Sequence, residues 1–176
     1  ICALPQLKDL FFSKSLIYIT HHNRNGAVGI VLNYKIMNIN SEDLFQKLNL
    51  NASNNSLNFS LHIGGPLNQN NGFILHSKEY NLEDTIKVSK LVNLTCSTQI
   101  IEDIAMDKGP TKYFISLGYA GWGPGQLEQE IIDNSWININ EKLDLIFDID
   151  VEQKWKKAIE FTGIDFSKFS SYSGSA

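Results

Sequence analysis

The stretch YFISLGYAGWGPGQLEQEII, residues 113–132, decides how this chain is read. Tyr113 to Tyr119 is an uncharged run of aromatic and aliphatic residues, the clearest buried-strand segment in the sequence. It runs into Gly118, Gly121, Gly123 and Gly125, which let a backbone take positive φ or approach another chain closely. Pro124 suits the first turn of a following helix, where its missing N–H is not needed. Leu127, Ile131 and Ile132 give that helix its apolar face. A strand passing straight into a helix through a glycine turn is thus the organising feature.

On the N-terminal side, residues 16–33 read as a β-hairpin. Leu16 to Thr20 is one strand, Asn25-Gly26 is strong turn chemistry, and Ala27 to Leu32 is a small apolar second strand closed by Asn33. Ser41 then caps a short helix ending near Leu50, with acids Glu42 and Asp43 in its first turn. An Asn/Ser-rich loop follows over residues 51–58. Leu57 to Ile63 is a strand stopped by Gly64-Gly65-Pro66. Asn70-Asn71-Gly72 reads as a turn before a strand over Phe73 to His76. Ile86 to Val88 and Leu91 to Cys96 read as short strands. Ser97 caps a helix with Ile100, Ile101, Ile104 and Ala105 on one side, and Gly109-Pro110 ends it.

Beyond the junction, Trp136 to Ile139 is a short extended piece and Leu143 to Phe147 is apolar but ambiguous. Glu152 to Thr162 is a final helix, with Trp155, Ala158 and Ile159 inward and Gly163 as its C-cap. Strands outnumber helices, and most are separated by hairpin-sized turns. The fold class is therefore α+β: one domain over residues 1–166 with a mixed, mostly antiparallel sheet, and a polar tail over 167–176.

The composition bounds the function. With 176 residues, 43% hydrophobic and 19% charged, the chain is neither disordered nor a disulfide scaffold. The net charge is −4 and Arg24 is the only arginine. No basic stripe for phosphates is readable, so direct nucleic-acid binding is not expected. Lys154, Lys156 and Lys157, flanked by Glu152 and Glu160, read as a solvated helix face. Cys2 and Cys96 are too far apart for a disulfide framework or zinc pattern, and Cys96 reads as a small buried hydrophobe. A reducing, cytoplasmic setting is expected, with no membrane span.

No set of residues completes a known catalytic pattern. The glycine spacing fails GxxxxGK[ST], because Pro124 stands where Lys is needed, and fails GxGxxG, because Gln126 stands where Gly is needed. Trp122 is either a core plug or an exposed contact anchor. If Gly64–Pro66 folds beside Gly121–Gly125, the two turns line one groove. His21 and His22 are adjacent and diverge on a strand. A metal would need ligands gathered from separate strands, such as His22 with His62 or His76, and no metal or cofactor is expected. His76 could serve as a general base. Glu128 and Glu130 are two apart and diverge around a helix. No GxSxG elbow exists.

Six pieces in order carry a resemblance over nearly the whole chain: ALPQLKDLFFSKSLIYITHH at 3–22, GAVGIVLN at 26–33, IGGPLNQNNGFILHS at 63–77, LTCSTQIIEDIA at 94–105, LGYAGWGPGQLEQEIIDNSW at 117–136, and LIFD then Trp over 145–155. Together they resemble the AlgH/YqgE family of small bacterial proteins. The resemblance implies a single α+β domain with a bulged sheet flanked by helices. It also brings the label of a transcriptional regulator, a regulatory influence through polysaccharide production rather than demonstrated DNA contact. The departures are small: Leu67 stands where many relatives have Val, and Thr98-Gln99 where Arg-Asp is usual.

The motif positions expected to form a ligand or partner surface are Asn33, Gly64, Gly65, Pro66, His76, Tyr119, Gly121, Trp122, Gly123, Gln126, Glu128 and Glu130; none is assigned as catalytic. The leading expectation is a non-enzymatic regulatory or adaptor protein that binds a protein partner or small ligand there. The alternative is a nucleotide-type ligand binder or enzyme using Glu128 and His76.

Overall fold

The computed structural model describes residues 1–40, 42, 43, 46 and 58–164. The expected helix after Ser41, the Asn/Ser-rich loop and the polar tail lie wholly or mostly outside the described residues.

The quoted stretch is the centre of the sheet. β9 (Tyr113–Trp122) hydrogen-bonds along both of its edges. On one edge lies β6 (Leu67–Ser77), antiparallel, with Gly72 to His76 opposite Leu117 to Tyr113. On the other edge, β5 (Asn58–Ile63) runs parallel to its first half, and β3 (Gly26–Val31) runs antiparallel to its second half. β2 (Ile17–Asn23) completes the predicted hairpin with β3, closing on the pair Asn23 and Gly26. β4 (Lys35–Asn40) flanks β5, and β8 (Val92–Thr95) with the short β7 (Ile86–Lys87) extends the β6 side. A separate two-stranded ribbon joins β1 (Cys2–Ala3) to β10 (Trp136–Ile137). The architecture is α+β, as expected.

Strand alternation explains why helices lie on both faces. Phe114 and Leu75 point to a core with Leu145 and Ile146 of a π-helical turn (Asp144–Asp148) and Ala158 of α3 (Val151–Thr162). Their neighbours Ile115 and Ile74 point the other way, onto Ile100, Ile101, Ile104 and Ala105 of α1 (Gln99–Ala105). All four of those expected α1 residues are buried. A third core, at the far end of β9, gathers Trp122, Trp136, Leu127, Ile17 and Val31.

Several readings are corrected. Asn70-Asn71-Gly72 is not a turn. β6 runs through it as an exposed extension, and the extra residues are absorbed as a register shift between Leu67 and Gly72. β4 carried no sequence expectation. The N-cap of α1 is Thr98, although the Ser97 hydroxyl still accepts the Gln99 N–H at 3.2 Å. Pro124 precedes α2 (Gln126–Ile132) instead of entering its first turn, because the N-cap is Gly125 at φ +72°, a conformation that favours glycine. Ile132 is 71% exposed rather than inward, since Leu127 and Ile131 already fill the face that α2 presents to the core. Cys96 is exposed just past the end of β8. Lys154 is not on a solvated face: it is only 2% exposed.

Candidate functional site at the strand–helix junction

The glycine-rich junction is held by one carboxylate. Glu130 Oε2 accepts the indole N–H of Trp122 at 2.9 Å and that of Trp136 at 2.7 Å. Its Oε1 accepts from the Gln126 side-chain amide at 2.8 Å, and the Gln126 carbonyl accepts the Gly123 N–H at 2.9 Å. Helical spacing makes this possible: Gln126 and Glu130 are i and i+4, so both face the turn that Gly123 to Gly125 makes. The two indoles meet edge to face at 5.9 Å, and Phe12 packs against both. Buried indoles need acceptors for their N–H groups, and Glu130 serves two at once.

Trp122 is therefore a core plug, 7% exposed, and not a contact anchor. Gln126 is exposed, yet both ends of its amide are spent inside the junction. Glu128, two residues from each, faces away and meets His22 Nε2 at 2.8 Å. His22, Ala27 and Trp122 lie on one rung across three strands, which brings the hairpin end to the start of α2. Glu128's own backbone N–H, and then the His22 ring, hold its carboxyl below the usual range. The exposed rim comprises Gly121, Gly123, Pro124, Gly125, Gln126 and Glu128, beside His21 and His22.

Gly64–Pro66 does fold beside this region, but as a backbone joint more than as one wall of an open groove. A Cβ on Gly65 would lie 2.0 Å from the Tyr119 carbonyl carbon, so only glycine permits the approach. Gly64 N–H donates to Leu117 O, and Gly64 O accepts from Val31 N–H, tying β5, β3 and β9 together. Tyr119 is half-buried with its ring edge to face on Phe73, while Pro66 is exposed. Asn33 straps the start of the hairpin: its carbonyl accepts the Leu16 N–H at 2.8 Å and its amide donates to Lys14 O at 2.9 Å.

His76 does not join the junction. It sits opposite Tyr113, and Trp122 is at the other end of β9, nine residues further on. It is fully buried, and its tautomer follows from its partners. Nδ1 faces the Ser77 carbonyl at 3.0 Å and must carry the proton, so Nε2 accepts from the Thr95 hydroxyl at 2.9 Å. Thr85 in turn donates to Thr95 and accepts the Leu82 N–H. Burial pushes the His76 pKa down, so the ring is a neutral part of the core. The acid/base pairing of His76 with Glu128 is not formed. His22, His62 and His76 lie in three separate places. Among the described residues no three His, Cys, Asp or Glu side chains gather where they could hold a metal.

The sequence reading missed the role of His22 as partner of Glu128, because a register shift between Ile19 and His21 sets which histidine reaches α2. It also missed Lys154 and His62, which line a cleft on the face opposite α1.

Fold and junction define a class: single-domain α+β proteins whose bulged sheet carries helices on both faces and passes through a glutamate-clamped glycine turn into a helix. The chain belongs to the AlgH-like family, whose model (DUF179) matches residues 1–167. It is 42% identical to a UPF0301 protein of Saccharophagus degradans over 174 residues, which is 99% of this chain and 85% of that one. It is 35% identical to the UPF0301 protein YqgE of Shigella boydii over 178 residues, 99% and 95% of the two chains. The solution structure of AlgH from Pseudomonas aeruginosa matches with a TM-score of 0.78 and 31% identity, covering 99% of this chain and 93% of that one. A crystal structure of a Corynebacterium diphtheriae protein matches at TM-score 0.73 and 19% identity, covering 97% and 89%, and shares the fold. Among the described residues no helix is long and apolar enough to cross a membrane.

Proposed function

We propose that this protein is a non-enzymatic regulatory or adaptor protein of the cytoplasm, and that it binds a protein partner or small ligand on the exposed rim of the junction. The observation that carries the reading is the Glu130 clamp. Three side-chain donors converge on one carboxylate and fix the turn. The rim residues Gly123 to Gln126, Glu128 and His22 are thereby presented in one conformation, and a rigid surface loses little entropy on binding. With His76 buried and remote, the one imidazole beside Glu128 is His22, whose Nε2 is engaged by that carboxylate, and the rim has the parts of a recognition surface. A net charge of −4 favours regulation through protein or small-molecule contact over duplex contact.

The test is affinity capture from native cell extract, with proteins and small molecules identified by mass spectrometry and the binding repeated with purified components. Wild type is compared with a His22→Ala, Glu128→Arg double variant, both substitutions being on the surface. A named binder retained by wild type, reproduced in purified form and lost by the variant supports the reading. Capture of the same binders by both forms removes the rim as the site.

A further inference from the structure

The cleft on the α3 face of the sheet contains a charge that has no ion-pair partner among the described residues. Lys154 is 2% exposed, and its Nζ donates to the Ile146 carbonyl and sits 4.8 Å from the centre of the Phe114 ring. An ammonium has three N–H donors and no acceptor. One goes to Ile146 and the aromatic face takes part of the charge, so donor capacity remains. The acid nearest in electrostatic effect is Asp148, which is already paired with Lys112. Beside Lys154 lies a cleft of about 350 Å³, lined also by Lys35, Ser60, His62, Tyr113 and Phe147. That is space for roughly a dozen waters.

His62 stacks on Phe114 at 4.0 Å, and its Nδ1 donates to the Ile115 carbonyl at 2.9 Å. The ring is therefore held with Nδ1 as the donor and Nε2 as the acceptor, and the residue lines the cleft. Burial, assisted by Lys154 and Lys35, lowers its pKa to about 4, so it adds no positive charge at neutral pH.

We propose that this cleft is a binding site for a small monocarboxylate with an apolar body, its carboxylate taking the spare N–H donors of Lys154 with Lys35 at the rim. One negative charge suits the site better than two, because Asp150 and the Lys112-paired Asp148 also line it. Half-buried Phe147 and Ile149 supply an apolar edge for the body. This site lies on different elements from the junction rim, and the inference is independent of the function proposed there.

Binding is linked to protonation. Burial lowers Lys154 to about 7, with Asp148 opposing the shift. The other groups around it are Lys35 from β4, His62 from β5, Tyr113 from β9, and Lys112, Asp148 and Asp150 beside α3. A carboxylate selects the ammonium form, so above pH 7 the complex takes up a proton and affinity falls about tenfold per pH unit.

The test titrates the full chain with benzoate at constant ionic strength, with inorganic phosphate as comparison. Amide NMR shifts locate the site, and calorimetry in two buffers of different ionisation enthalpy counts protons. Expected are saturable shifts at Ile115, Phe147 and Ile149, near-complete uptake of one proton at pH 8 and little at pH 6. Lys154→Met, a near-isosteric change, should weaken benzoate at least tenfold, and Lys35→Gln, an exposed change, about threefold. Benzoate that moves none of these amides, binds Lys154→Met equally, takes up no proton at pH 8, or is matched by phosphate overturns the proposal.

Discussion

The third core at the far end of β9 and the cleft against α3 treat charge in opposite ways. At the junction, half-buried Glu130 meets three side-chain donors placed by β9, α2 and β10. At the cleft, Lys154 is more deeply buried and meets one carbonyl and one aromatic face. Both are charged groups taken from water, but only the first has its hydrogen-bonding capacity matched within the fold. The contrast separates a charge that organises structure from one left ready for something outside it.

The largest effect should come from breaking the matched side. Glu130→Ala leaves the buried Trp122 and Trp136 indoles without their acceptor, and two unpaired buried donors together cost about 3–5 kcal/mol. Urea unfolding measures it, and Glu130→Gln, which keeps one acceptor oxygen, should recover about half. A loss under about 1 kcal/mol for Glu130→Ala would mean water replaces the carboxylate, and the contrast collapses.

Acid should act next, through His62. Its folded pKa of about 4 lies below the free value of 6.5, so between those values the unfolded chain binds more protons. Stability is present above pH 6.5 and falls as pH drops toward 4, by up to about 3 kcal/mol from this ring. The buried His76 shifts in the same direction and adds to the loss. In His62→Gln the acid slope between pH 6.5 and 4 should be shallower; an unchanged slope would place the titration elsewhere.

Lys154→Met should go the other way. It removes an unmatched buried cation, so melting at pH 7 should rise by the equivalent of about 1–2 kcal/mol. Wild type gains stability as pH rises from about 7 to 10.5, because over that window only the unfolded lysine stays protonated. The variant lacks that gain, and its advantage should shrink with alkali. A variant less stable than wild type at pH 7 would show the cation to be matched after all.

The smallest effect is expected at the rim. His22→Ala removes an exposed pair with Glu128 and should leave the urea midpoint unchanged, because solvent screens such pairs. A lowered midpoint would make the pair part of the clamp.

Much of the fold was legible because residue type and environment agreed. YFISLGY is apolar and central, Asn25-Gly26 makes its turn, and Ile100, Ile101, Ile104 and Ala105 bury together. The sequence misled where they disagreed. The polar run Asn68 to Asn71 continues a strand although Asn68 takes φ +54° and the pairing with β9 shifts register there. Lys154 falls at i+3 from Val151 and four before Ala158, within the inward stripe of α3, so spacing placed it inside while its charge placed it outside. The site was legible as a motif and illegible as a contact map. Gln126 and Glu130 show helical spacing, but nothing local tells that Trp136 returns to the same carboxylate.

The parallel pairing of β5 with β9 also sets an order in time. Leu61 finds Ile115, a partner 54 positions later in the chain (115 − 61), so during synthesis at ~5–20 residues per second it waits about 3–10 s. Until β9 leaves the ribosome, neither of its flanking partners β3 and β5 has the strand that joins them, and Phe59 and Leu61 lack the Ile115 wall of their core. The nascent chain therefore holds two open strand edges for seconds, a natural point of engagement for a chaperone that recognises extended apolar segments.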